Sequence, residues 1–157
     1  MRRLPLSTCA AVLGLALAAG LPAAATDVLF EGTLSGVCTL GLSTPGTLGL
    51  DPEGRLSSAA GLPALLTVLS VGSNTLTFDP PVWVDTAPDY AAGTETFEVA
   101  YNGFPGVGIT EQAYTTAPTS RSIATLPLSL MAVNARVANS LGFAAGDYRM
   151  KVVVTCS

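Results

Sequence analysis

The chain has 157 residues, of which 49% are apolar and only 11% charged, with a net charge of −4. That is the length of one domain, and the composition excludes a disordered chain. With 7 Lys and Arg there is no cationic cluster for nucleic acid, and with no His the commonest general base, the commonest metal ligand and every Ser–His or Cys–His pair are excluded.

The first 25 residues follow the plan of a secretory signal peptide. Arg2 and Arg3 give a positive start, an apolar run is densest over 10–19, and Ala23-Ala24-Ala25 offers small residues before a cut between Ala25 and Thr26. The run is shorter than the roughly 20 residues that span a bilayer. The expected mature domain is therefore 26–157, exported and without a transmembrane segment. Loss of Arg2 and Arg3 takes its net charge from −4 to −6. Cys9 leaves with the signal, so Cys38 and Cys156 remain. In an oxidising compartment an even pair is most simply a disulfide. By the chain-entropy argument, so long a loop is worth about 5 kcal/mol.

After residue 25 the periodicity is that of strands. Val28, Phe30, Leu34, Cys38, Leu40 and Leu42 share one parity, with Gly32 and Gly36 marking a bend. Asp51-Pro52-Glu53-Gly54 has the residues of a tight turn, with flanking strands at 46–50 and 55–57, and 58–63 reads as a small-residue connection. Residues 65–71 are almost continuously apolar, the composition of a strand covered on both faces. Gly72-Ser73-Asn74 turns the chain into a strand at 75–78, which Asp79-Pro80-Pro81 ends. Residues 82–84 form a short extended piece.

Residues 95–101 alternate, with Phe97, Val99 and Tyr101 on one face, and 102–119 read as a long loop. Leu126, Leu128 and Leu130 share one parity and Val133, Ala135 and Val137 the other, which requires a bulge near Met131-Ala132. The clearest strand is the last: Tyr148, Met150, Val152, Val154 and Cys156 share one face, opposite Asp147, Arg149, Lys151 and Thr155. No segment after the signal has a helical period. Many short strands between Gly and Pro turns predict an all-β sandwich, with a barrel as the rival. Aromatics at 6% are too few for the girdles of a membrane barrel.

Phe30-Glu31-Gly32-Thr33-Leu34 with Cys38-Thr39-Leu40, and Ala145-Gly146-Asp147-Tyr148 with Val152-Val153-Val154-Thr155, resemble the opening and closing strands of chaperone–usher pilins and spore coat protein U-like secreted proteins. The resemblance implies a bacterial, immunoglobulin-like (pilin-like) β-sandwich of about seven to eight strands that assembles at the cell surface. It also implies protein partners, another copy or a periplasmic chaperone. Pilins pair the first-strand cysteine with one at the end of the second strand; 65–71 has none, which leaves Cys156 as the partner. The first strand of an immunoglobulin-like sandwich meets the last in parallel, so the strand around Cys38 is expected to pair that way with the last.

No residue set points to catalysis, a metal or a cofactor. Asp79, Asp85 and Asp89 lack the spacing of a calcium loop, and Glu95 and Glu98 have opposite parity, so they cannot act as a pair from one strand. Lys151 reads as a solubilising charge. Trp83 after Pro80-Pro81, and Phe104 and Val107 in a glycine-rich loop, are the candidate contact residues. Two functions stand: a non-catalytic structural or adhesive surface protein that assembles through its sandwich, and a monomeric periplasmic binding module for a small molecule or protein.

Overall fold

The computed structural model describes residues 36–103 and 109–157, and these form twelve β-strands with no helix. The predicted signal, its cleavage site at Ala25 and Thr26, and Phe104 and Val107 lie outside the described residues. All strand pairs are antiparallel. The result is a curled, half-barrel sandwich, with twelve strands where the resemblance implied seven to eight.

The spine is β10 (Leu126–Asn139), a 14-residue strand with three partners. One edge pairs with β7 (Glu95–Gly103) over residues 131–139. The other pairs first with β4 (Ala64–Val71) and then with β3 (Leu56–Leu62). Beyond β4 lies β1 (Val37–Thr44), and beyond β3 lies β2 (Thr47–Leu50). β8 (Gln112–Thr115) adds to β7 and completes a seven-stranded sheet. Two smaller ladders stand apart from it: β12 (Val154–Cys156), β5 (Asn74–Phe78) and β9 (Thr119–Ile123), and a pair of β6 (Val82–Asp85) with β11 (Arg149–Lys151).

Period-2 alternation makes one core from the two faces. Val68, Leu76, Phe78, Val99 and Met131 are fully buried. The rings of Phe78 and Tyr101 stack with centroids 3.9 Å apart, one ring from the small sheet and one from the large. Tyr101 keeps its hydroxyl satisfied at Thr119 Oγ1, 3.0 Å away, as a buried phenol must. The turn at 51–54 forms as its residues predict. Gly54 N donates to Asp51 O, Gly54 takes a φ of +77°, and Asp51 Oδ1 accepts the backbone N–H groups of Glu53 and Arg55.

Five expectations are corrected. Residues 58–63 are not a connection: β3 continues to Leu62, and Gly49 and Gly61 let β2 and β3 approach so closely that a Cβ on either would overlap the facing backbone. The loop expected over 102–119 contains β8 and ends in β9. The bulge in β10 lies between Leu126 and Ser129, not near Met131, because Pro127 has no N–H to donate to the ladder. The last strand keeps its predicted alternation from Tyr148 to Cys156 but divides into β11 and β12. Opposite the break stand Pro80 and Pro81, which have no N–H to donate to it, and Asp79 N donates to Val153 O at the crossing point. Finally, β1 pairs with β4 and not with the last strand.

Phe78 links both sheets through one ring. Phe78→Ala is expected to lower stability by about 3–5 kcal/mol, the usual range for emptying a buried aromatic site. Urea unfolding followed by circular dichroism checks it; a loss under 1 kcal/mol, on the order of a surface substitution, would contradict this core.

Candidate functional site

Cys38 and Cys156 form a disulfide with Cα atoms 6.0 Å apart, across 118 residues of sequence. Both sulfurs pack against the core, as the parity of each strand requires. The geometry differs from the expected parallel pair. Cys38 is the second residue of β1, whereas Cys156 is the last of β12, so opposite strand ends meet. The bond joins two sheets rather than two hydrogen-bonded neighbours.

From this crosslink β1 and the closing segment diverge. Between them lies a half-open cleft of about 700 Å³. Leu40 and Leu42 of β1 line one wall, Met150, Val152 and Val154 the other, and Leu66 lies between. Pro45, Gly46 and Leu48 close the side where β2 folds away from β1, and Tyr148 stands at the far end. Arg149 and Lys151 alternate with Tyr148, Met150 and Val152 and are exposed on the opposite face of that segment. The cleft size lies within the range of small-molecule sites, roughly 300–1,000 Å³. The amino acids do not signal it, because apolar parity marks a core face but not whether another strand covers it.

Tyr148 joins the cleft to an aromatic cluster. Trp83, Tyr90, Phe97, Phe143 and Tyr148 meet with centroids 5.4–6.1 Å apart, mostly edge to face. Glu95 sits among them and accepts from Trp83 Nε1 at 3.0 Å and from the Tyr90 hydroxyl. Trp83, singled out as a contact residue, is half-buried and anchored in this way. Tyr90 and Phe143 come from loops, where no periodicity signals a contact. Burial first, and then the hydrogen bond to Glu95, push the Tyr90 phenol up to about 12.

Glu95 and Glu98 serve different neighbours. Glu98 makes a two-point ion pair with Arg136 at 2.6 and 3.0 Å, and the guanidinium lies over the Tyr114 ring at 4.0 Å. Its hydrogen bonds to Glu98 hold the Arg136 pKa above the usual arginine value, outweighing desolvation. Among the described residues, no three His, Cys, Asp or Glu side chains come together as a metal site would require. No helix there is long and apolar enough to cross a membrane.

The outer face of the large sheet is the other unusual feature. On β4, Leu66, Val68 and Ser70 are buried inward, while Leu65, Leu69 and Val71 face outward and are half-buried. Beside them, Val37 is 43% exposed, Leu130 40% and Leu128, at the bulge, 71%. No charged residue stands among these positions. Neither a protein-family model nor a curated protein matches the chain.

The raised Tyr90 pKa favours the neutral phenol in the folded state. Its contribution to stability is therefore complete below the ordinary value of 10.0 and is lost as the pH rises through about 12. Glu95→Gln should bring Tyr90 down toward 10 while leaving part of the shift that burial causes. Spectrophotometric titration of the phenolates checks this; an unchanged late-ionising tyrosine in Glu95→Gln would show that Glu95 does not act on it.

Proposed function

We propose that the protein is an exported, non-catalytic structural or adhesive surface protein whose β-sandwich domains associate through the outer face of the large sheet. One observation carries this reading. Strand β4 has apolar residues on both faces, the composition of a strand covered on both sides, and among the described residues only its inner face is fully covered. An uncovered apolar face of this kind marks a contact surface, and a face without charges can meet its own copy without burying an ion. The Cys38–Cys156 disulfide and the signal-like first 25 residues support export. The short motifs at both ends support kinship with spore coat protein U-like proteins and pilins, whose subunits form surface coats or fibres.

A second reading, a binding module acting as a monomer, is favoured by the cleft between β1 and β11. The two readings use different surfaces and make different predictions.

On the first reading the oxidised domain forms oligomers that grow with concentration in sedimentation velocity runs. Leu128→Lys combined with Leu130→Lys should leave the monomer alone, with unchanged circular dichroism, because both side chains are already exposed. A wild-type protein that stays monomeric across the whole soluble range would contradict assembly through this face.

A further inference from the structure

We propose that β11 and its partner β6 form a flap that closes the cleft by zipping the closing segment onto β1 as an antiparallel pair, in a register that the Cys38–Cys156 disulfide sets. In the open state the cleft separates its two walls. In the closed state the small sheet and the large one join along β1. This device stands on the walls of the cleft and on neither reading of function.

Both walls are unpaired strand edges. Among the described residues, β1 bonds only to β4, β12 only to β5 and β11 only to β6. Ser157 and Thr75 exchange both backbone bonds, and Asp79 N donates to Val153 O. The odd-numbered residues of β12 therefore bond to β5, and the even-numbered ones turn N–H and C=O toward β1. Leaving the disulfide along the cleft, β1 runs forward in the chain and the closing segment backward, which is the antiparallel sense. The Cα atoms of Cys38 and Cys156, 6.0 Å apart, already stand near the roughly 5.5 Å of directly opposed, hydrogen-bonded residues. Counting from that rung sets Leu40 against Val154 and Leu42 against Val152. These four side chains share the parity of the two cysteines and line the cleft, so closure sets them side by side over the core. Leu42 has this inward parity yet is 65% exposed, and it gains most from a neighbour on that side.

The flap has a hinge and room to move. β6 and β11 form a two-stranded ribbon that joins no other described strand, and such a ribbon is weakly held by its own ladder. It connects to β5 and β12 through 79–81 and 152–153, which lie side by side outside the ladders and share the bond from Asp79 N to Val153 O. Residues at the ends of elements are the ones that absorb the change in backbone angles when a segment swings. On one side of the ribbon lies the cleft of about 700 Å³. On the other lies a groove of about 580 Å³, between Pro80-Pro81-Val82 and Glu95-Thr96-Phe97. Trp83 holds the ribbon in the open state: its ring packs edge to face on Phe97, and its Nε1 donates to Glu95 at 3.0 Å. Closure exchanges these contacts for ladder bonds and apolar cover along β1. The closed state shields the edges of β1 and β12 from other chains, and anything seated in the cleft selects the open one.

The test is a second crosslink placed in the proposed register, Leu42→Cys with Val152→Cys, in the chain that keeps its native disulfide. Under mild oxidation this pair should join at least about tenfold faster than Leu42→Cys with Met150→Cys, two residues out of register, because a disulfide needs Cα atoms about 4.4–6.8 Å apart. Non-reducing digestion and mass spectrometry identify the bond. Trp83 is the only tryptophan of the chain, so its emission reports on the ribbon and should change when the second crosslink forms. No crosslink, equal rates for the two pairs, or a crosslink that leaves Trp83 emission unchanged would overturn the proposal. Should these variants fail to fold by circular dichroism, amide exchange on the unaltered chain decides. The Val154 N–H, which faces β1, should then exchange at least about tenfold more slowly than an unprotected strand edge, and Leu42→Asp, which sets a charge in the closing seam, should release it. An unprotected Val154 amide, or protection that Leu42→Asp leaves intact, overturns the flap equally.

Discussion

The disulfide between Cys38 and Cys156 holds a small sheet against a large one. Strand β12 has three residues and one neighbour, β5. Ser157, next to it, is bonded through its N–H and C=O to Thr75. So short an edge strand has too few hydrogen bonds to stay docked by itself. The covalent bond fixes one end of it on β1, and the fixed separation there sets where the cleft begins. β12 in turn pairs with β5, whose Phe78 ring stacks on Tyr101. The core between the sheets thus depends on a contact between residues 118 positions apart in sequence.

The rest of the architecture follows from β10. A 14-residue strand is long enough to take β4 and β3 in succession on one edge and β7 on the other, and this fork curls the sheet. The curl turns β1 toward β12 and β2 away from it. Two apolar surfaces result, the cleft inside and the outer face of β4 and β10. Each is a place where the described residues leave apolar surface uncovered, the kind of surface that marks a contact site. The polar devices lie elsewhere. The Arg136–Glu98 pair, its guanidinium over Tyr114, ties β10 to β7, and the Asp51–Arg55 turn ties β2 to β3. At Asp51, burial pushes the carboxyl up but the hydrogen bonds from Arg55 and Glu53 together hold it below its usual range.

Strong alternation and turn chemistry were legible in the amino acids. The faces of 95–101 and of 148–156, the turn at Asp51-Pro52-Glu53-Gly54 and the pairing of the two cysteines could all be read because each depends on neighbouring residues or on a count of two. Strand β9 could not, since Thr119-Ser120-Arg121-Ser122-Ile123 carries a single apolar side chain and is held by its ladder with β5. Strand β8 was hidden in a stretch rich in Gly and Pro. The division of the last strand was invisible because its cause, Pro80-Pro81, lies about 70 residues away in sequence and acts only once the strands pair. The cleft was invisible for a similar reason: the inward parity of Leu42, Met150 and Val152 reads as covered core until the fold leaves a gap between their strands.

One covalent bond keeps the two sheets together. Amide hydrogen exchange on the oxidised and the reduced protein, at a pH near neutrality, tests it most directly. The account predicts that reduction deprotects β12, β5 and β9 first, while the β4–β10–β7 ladder keeps its slow exchange. Equal protection of β12 and β5 in both states would contradict it, because the small sheet would then be held by its own packing and hydrogen bonds.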